Sequence, residues 1–354
     1  MVTFGVEEEF MLVDQFGQLS NDSAAVLADT PPADGQLQRE MVRCQVESAS
    51  PVCSRADELL DHLKAQRAQL AKAADRHGLR ILPAGSAPQA HAGTPALTAG
   101  SRYERMAEHF GGLIDDANIC GCHVHVSIPD PATGVQVSNH MRPWLPLLLA
   151  LSANSPFAAG KDTGYASWRH RCMTRWPASG PPPYFESEEH YTATVGDLVR
   201  SGAITDERMI YWDIRLSPTY PTLEIRVCDV APTAEDATLL AVLIRALATQ
   251  ALHHVADRRI APRVSTEVLR ASLWRAGRDG LEGHCLNPDS GHPVPVWSLV
   301  EDLVDQLDAV FRPGERAFVD DRLAWLRAVS GCAARQRAAF ARRGQIADVI
   351  DLLC

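Results

Sequence analysis

Apolar and polar residues alternate along Thr3–Val13, which predicts a β-strand. Val6, Glu8 and Phe10 share one side of that strand, and Glu7 and Glu9 share the other. The same alternation predicts a strand at Glu40–Glu47, with Val42, Cys44 and Val46 opposite Arg43, Gln45 and Glu47. In Cys120–Ser127 the apolar side is Cys120, Cys122, Val124 and Val126, facing away from Gly121, His123, His125 and Ser127. In Thr222–Val230, Leu223, Ile225 and Val227 oppose Thr222, Glu224, Arg226 and Cys228. Shorter strands are predicted at Leu79–Pro83 and Tyr211–Leu216.

Helical spacing follows Ser54 and Asp57, a capping pair, and stops at Gly78. Further helices are predicted over about Arg102–Ala117 and Asn139–Leu151, the first after a Gly-, Pro- and Ala-rich loop. Asn154–Tyr184 reads as a loop because glycines and prolines recur through it. After Pro232 the chain turns helical to its end, with Thr233 and Asp236 capping a helix through His254. Strands thus occupy the first two-thirds and helices the last third, which predicts an α+β fold rather than a doubly wound one. With no linker, repeat or low-complexity tract, residues 1–354 read as a single domain.

The formal charge of −10 over 354 residues argues against a general nucleic-acid binder. The longest strongly apolar stretch, Trp144–Leu151, is too short to cross a bilayer and contains Pro146. Met1 runs directly into a strand without a signal-peptide pattern, so a cytoplasmic protein is expected, and its nine scattered cysteines should be free thiols. The chain has no Gly-rich dinucleotide fingerprint and no P-loop; any ATP would be held by metal and arginine.

The paired glutamates carry the chemistry. Same-face positions on a strand lie ~6.8 Å apart, where two full charges at an effective dielectric of 20 repel by roughly 2–3 kcal/mol. A hard divalent cation relieves that repulsion; solvation on an edge strand is the alternative. Cys120, Cys122, His123 and His125 suggest zinc, but alternation splits them between two faces, so one tetrahedral ion cannot collect all four. Four strands each offer a polar side: Glu7/Glu9, Gln45/Glu47, His123/His125 and Glu224/Arg226. Together they predict one sheet with an acidic, metal-lined concave face. Lys161, Arg169, His170, Arg171 and Arg175, with only Asp162 against them, form a basic island suited to phosphate or carboxylate. Arg335, Arg337, Arg342 and Arg343 read as the solvent side of a helix.

Six stretches (Gly5–Phe10, Gly121–Val126, Leu151–Phe157, Asp162–Ser167, Tyr211–Arg215 and Pro221–Val230) resemble the bacterial type 2 glutamate–cysteine ligase-like family, the carboxylate–amine ligases. The resemblance implies the glutamine synthetase catalytic fold, a curved and mainly antiparallel sheet with helices outside, and a homodimer. It also implies ATP and two or more Mg²⁺ ions, used to join an amino-acid carboxylate to an amine through an acyl phosphate. Glutamate and cysteine are the default small-molecule substrates. By the same resemblance Glu7, Glu9, Glu47, Glu224 and His123 are expected metal ligands, Arg226 a catalytic arginine and His125 a candidate base. Tyr165, Arg169, Arg175, Trp212 and Arg215 are expected to line the substrate pocket. Two other functions fit the residues: a zinc-dependent hydrolase using His123 and His125, and a non-catalytic nucleotide or amino-acid sensor.

Overall fold

The alternating segments meet in one seven-stranded, wholly antiparallel sheet. Its strands are β1 (Phe4–Val13), β2 (Gln36–Arg39), β3 (Gln45–Ala49), β4 (Arg80–Leu82), β5 (Gly121–Ser127), β6 (Ile214–Leu216) and β7 (Thr222–Asp229). They lie in the order β6-β7-β5-β1-β3-β2, and β4 pairs with the end of β1. This computed structural model describes residues 1–30, 35–89 and 95–354; residues 90–94 of the Gly-, Pro- and Ala-rich loop therefore lie outside it.

One side of the sheet is apolar. Val6, Cys122, Val124, Val126, Leu223, Ile225 and Val227 are buried there in the main core. The helices around the sheet include α1 (Ala56–Asp75), α2 (Ser101–Phe110), α3 (Pro131–Met141), α4 (Leu145–Ser152), α5 (Trp168–Met173), α6 (Glu188–Arg200), α7 (Ala234–Ala256) and α8 (Thr266–Asp279). Helices α4 and α7 cover the apolar side. By length and composition α7 could cross a membrane, but most of its apolar stretch is buried inside the protein, as in a core helix. Its predicted cap is present: Thr233 Oγ1 accepts from the Asp236 amide at 3.2 Å and donates to Asp236 Oδ2 at 2.9 Å.

Glu8, on the core side of β1, is fully buried and forms a two-pronged ion pair with Arg67 of α1. The same guanidinium donates to the carbonyls of Ala231 and Pro232 at 2.8 and 3.0 Å, tying β1, α1 and the α7 entrance together. Burying a charge is costly unless it is paired and hydrogen-bonded, and here both conditions are met.

Several elements depart from expectation. The segment Glu40–Glu47 is not one strand: β2 ends at Arg39, residues 40–44 turn, and β3 starts at Gln45. Arg43 therefore belongs to no strand face. The expected helix Asn139–Leu151 is α3 and α4 joined by a tight turn at Arg142–Trp144, where Pro143 and Pro146 deny the backbone two donors. The 154–184 loop contains α5, which Ser167 caps by accepting from the His170 amide. Strand 211–216 is broken at Asp213, and α6 and a hairpin of His284–Leu286 with Pro293–Pro295 appear where neither was expected. Helix α1 begins after Arg55 without a side-chain cap; instead Glu58 accepts from the Ser54 amide at 3.0 Å, and Asp57 pairs with Arg55. Gly78, at φ +69°, ends the α1 segment as expected. All nine cysteines are free, eight of them buried.

Candidate functional site

Register aligns the polar sides of neighbouring strands. Glu7 of β1 lies opposite His123 of β5, and Glu9 lies opposite Glu47 of β3, itself opposite Gln38 of β2. On the other flank Arg215 of β6 faces Glu224 of β7, and Glu224 faces His125 of β5. The result is a transverse band of acids, histidines and arginines along one wall of a cavity of about 480 Å³. Glu7, Glu9, Glu47, Glu224, His123, His125, Arg226, Arg169 and Arg215 all line it. Tyr165, Arg175 and Trp212 do not. Tyr165 borders a different cavity, Arg175 forms an exposed ion pair with Asp116, and Trp212 is buried among Phe185, Tyr191 and other aromatic residues. Cys120 and Cys122 are in the core, so no single ion joins them to His123 and His125.

A bulge in β7 sets the arginine. Ile225 pairs with Val124, but Cys228 pairs with Cys122, so β7 holds one residue more than β5 over this span. Arg226 stays on the cavity side while Cys228 turns into the core, correcting the placement of Cys228 beside Glu224 and Arg226. Asp229 follows the bulge and is fully buried. It accepts from the Asn154 amide at 2.9 Å and from the Ser155 and Ser167 hydroxyls at 2.7 and 2.8 Å. Those bonds fix the start of α5, and with it Arg169.

Glu224 is held by two arginines. Arg215 meets it with Nε and Nη2 at 2.8 and 3.2 Å, and Arg226 Nη1 pairs with Oε1. Burial opposes ionisation of Glu224, yet the charges of Arg226 and Arg215 outweigh it and hold the carboxyl well below its usual range. Arg215 also donates to the Arg208 and Ile210 carbonyls at 3.0 and 2.6 Å, so its donors are largely committed.

Histidines frame Glu7. Its Oε2 lies 3.5 Å from His123 Nδ1 and its Oε1 3.4 Å from His125 Nε2. Burial opposes ionisation here too, but these contacts prevail and depress the Glu7 carboxyl far below normal. His123 Nδ1 also stands 3.5 Å from Arg226 Nη1; that nitrogen can donate to Glu7 or accept from Arg226, not both. Burial, then the charge of Arg226, pushes the His123 imidazole down to about 4, so it is neutral at pH 7. His125 Nδ1 is anchored by Thr222 Oγ1 at 2.8 Å.

At the other end of the band, acids crowd one another. Burial, then the charge of Glu40, pushes the Glu9 carboxyl up to about 7. Burial and Glu40 likewise raise Glu47 well above the carboxylate range. Glu40 sits in the 40–44 turn and was not singled out from the sequence. Its only signal there was proximity to Glu47 along the chain, which the strand reading of the turn concealed.

Among the described residues of this cavity, two groups could hold cations: Glu7, His125 and Glu224, and Glu9, Glu40 and Glu47, each with ligand atoms within 4.8 Å of one another. The donors fit: oxygen-rich, one imidazole, and five acids whose mutual repulsion a divalent ion would relieve. Among the described residues, buried His123 Nε2, His125 Nε2 and Arg226 Nε find no partner within hydrogen-bond geometry, leaving polar atoms for a ligand to satisfy.

Comparison with known proteins identifies the family and the fold. A family described as Glutamate-cysteine ligase family 2 matches residues 3–350. A Rhodococcus jostii RHA1 protein named "Putative glutamate--cysteine ligase 2-1" is 46% identical, covering 99% of this chain and 95% of its own. A Salinispora arenicola CNS-205 protein named "Putative glutamate--cysteine ligase 2" is 44% identical, covering 95% of this chain and 89% of its own. Among solved structures, a Francisella tularensis glutamate–cysteine ligase in complex with AMP superposes with a TM-score of 0.72 at 13% identity, over 99% of this chain and 87% of its own. A Pasteurella multocida bifunctional glutathione synthetase gives 0.70 at 17% identity, over 99% of this chain and 51% of its own. At such identities the structural matches speak for the fold alone: a mainly antiparallel ligase sheet with helices outside.

Proposed function

The chain belongs to glutamate–cysteine ligase family 2, an ATP-dependent carbon–nitrogen ligase family, and from this premise we propose that its acidic cavity joins the γ-carboxylate of glutamate to cysteine or another small amine. The observation that carries the reading is the band of facing residues across six strands. It gathers two groups that could hold cations, the buried Arg169 and the partly exposed Arg226 in one cavity.

In the first step a carboxylate oxygen attacks the γ-phosphorus of ATP and ADP leaves, giving an acyl phosphate. An amine nitrogen then attacks the acyl carbon, phosphate departs and the nitrogen loses a proton. Phosphoryl transfer of this kind depends on positioning and charge neutralisation more than on a protein nucleophile. Magnesium, held by Glu7 and Glu224 and by Glu9, Glu40 and Glu47, would supply charge neutralisation at the phosphate oxygens. Arg226 keeps part of its guanidinium for the transferring group, and Arg169 is placed to meet a substrate carboxylate. Neutral His123 turns Glu7 toward the cavity. His125, whose Nε2 faces Glu7 Oε1 at 3.4 Å, is the candidate to take the proton that the ammonium sheds before its nitrogen attacks.

An ADP-release screen across amino acids and amines, with product masses measured, tests the reading. Glutamate- and amine-dependent ADP release with the mass of a γ-glutamyl amide supports it. Tight stoichiometric zinc with no ATP requirement would point instead to a hydrolase, and nucleotide binding without turnover for any pair to a sensor. Sedimentation tests the implied homodimer.

A further inference from the structure

The basic island of residues 161–175 is divided by α5 between two cavities. Arg169 and Met173 line the acidic one, whereas His170, Arg171 and Thr174 line a second cavity of about 610 Å³ between α5 and α8. That volume lies within the roughly 300–1,000 Å³ usual for small-ligand sites. We propose that this second cavity binds a small zwitterion of amino-acid type with an aromatic or apolar body, separately from the substrates of the acidic cavity.

An aromatic wall is already in place. Trp274 of α8 donates its indole N–H to the Tyr165 hydroxyl at 3.1 Å. Trp168 meets the Tyr165 ring edge-on at 5.4 Å, and the Arg278 guanidinium lies 5.6 Å from that ring. Trp274 is held by these contacts yet 51% exposed, so its face is open to a ligand. A wall fixed before binding spares the entropy of ordering it.

Charge decides the ligand class. Arg171 and Arg270 line the cavity, and among the described residues neither pairs with a carboxylate; Arg171 donates only to Thr174 Oγ1 at 3.0 Å. Two unpaired guanidiniums suit a carboxylate, which they can grip in a fork. Glu267 lines the same cavity, likewise with no cationic partner among the described residues. It would repel a phosphate and attract an ammonium, so a zwitterion fits better than a nucleotide or inorganic anion. Behind the lining residue His170, its Nε2 lies 3.7 Å from Asp213 Oδ1, and among the described residues neither His170 Nε2 nor Asp213 Oδ2 has a hydrogen-bond partner.

Calorimetric titration of the full chain with L-phenylalanine, in the absence of ATP, tests the proposal. One binding event is expected, weakened at least about tenfold by Arg171→Ala with Arg270→Ala and by Trp274→Ala, a loss of ~1.4 kcal/mol or more. Arg226→Ala, altered only in the acidic cavity, should bind as the parent does. These three surface side chains are exposed, and an unchanged melting temperature excludes misfolding as the cause of any loss. The proposal is overturned by absence of binding heat, by binding indifferent to the three substitutions, or by binding lost in Arg226→Ala. Self-association that Trp274→Ala abolishes, without phenylalanine binding, also overturns it, since a second copy would then own this face.

Discussion

Glu224→Gln and Arg226→Ala should separate stability from catalysis. Glu224 is nearly fully buried and accepts from two arginines, while Arg226 keeps contact with the cavity. At an effective dielectric of 20, each charge pair at ~4 Å contributes about 4 kcal/mol of attraction, set against the cost of burying both charges. Glu224→Gln removes the negative partner of Arg215 and Arg226 together and leaves two like charges in a dry site. A net loss of about 3–5 kcal/mol is expected, the range for breaking a buried pair from one side. Arg226→Ala leaves Glu224 still gripped by Arg215, so its stability loss should be at most about half as large. Its turnover, however, should fall by ~10³-fold or more, as for arginines that neutralise a transferring phosphoryl group. Urea unfolding and ADP release, measured on both variants, check the two halves. The reasoning fails if Arg226→Ala keeps near-parental turnover, or if Glu224→Gln unfolds at the parental urea concentration.

The same contacts make three further predictions. Glu8→Ala strands the Arg67 charge beside the core and should cost about 3–5 kcal/mol in urea unfolding; a loss under ~1 kcal/mol would show that water reaches Arg67 freely. The Glu9 carboxyl sits at about 7 and is raised, so below pH 7 it is increasingly protonated and neutral. Mg²⁺ affinity should therefore weaken as pH falls through 7, with proton release on binding near that pH; calorimetry giving the same heat in buffers of different ionisation enthalpy would refute this. Asp229→Ala frees three donors that hold the 154–167 segment. Faster hydrogen exchange in that segment and a raised substrate KM should result, with ADP release and exchange mass spectrometry as the measurements; unchanged exchange would rule out an anchoring role.

The polar wall was legible because alternation is a strict property of strands. Glu7, Glu9, His123, His125, Glu224 and Arg226 were placed on the correct side from period alone, and Glu8 on the other. Cys228 was not, because one inserted residue in β7 reverses the side of everything after it, and nothing in Thr222–Val230 announces a bulge. Glu40 was hidden by reading a turn as strand: Val42, Cys44 and Val46 alternate even though residues 40–44 leave the sheet. Tyr165 lies in the segment that Asp229 anchors, Arg175 pairs with Asp116 and Trp212 packs on Phe185 and Tyr191, and no local period reports such distant partners. Arg67, the partner of Glu8, lies 59 residues away on a helix where its spacing looks like an ordinary solvent side.

Oxygen transfer tests the central claim most directly. Glutamate labelled with ¹⁸O in its γ-carboxylate is supplied with ATP, Mg²⁺ and the amine found active, and the phosphate released is weighed. If the cavity activates the carboxylate as an acyl phosphate, one ¹⁸O atom passes from glutamate to each phosphate as the amide forms. Unlabelled phosphate accompanying amide formation, or release of AMP in place of ADP, would contradict the account.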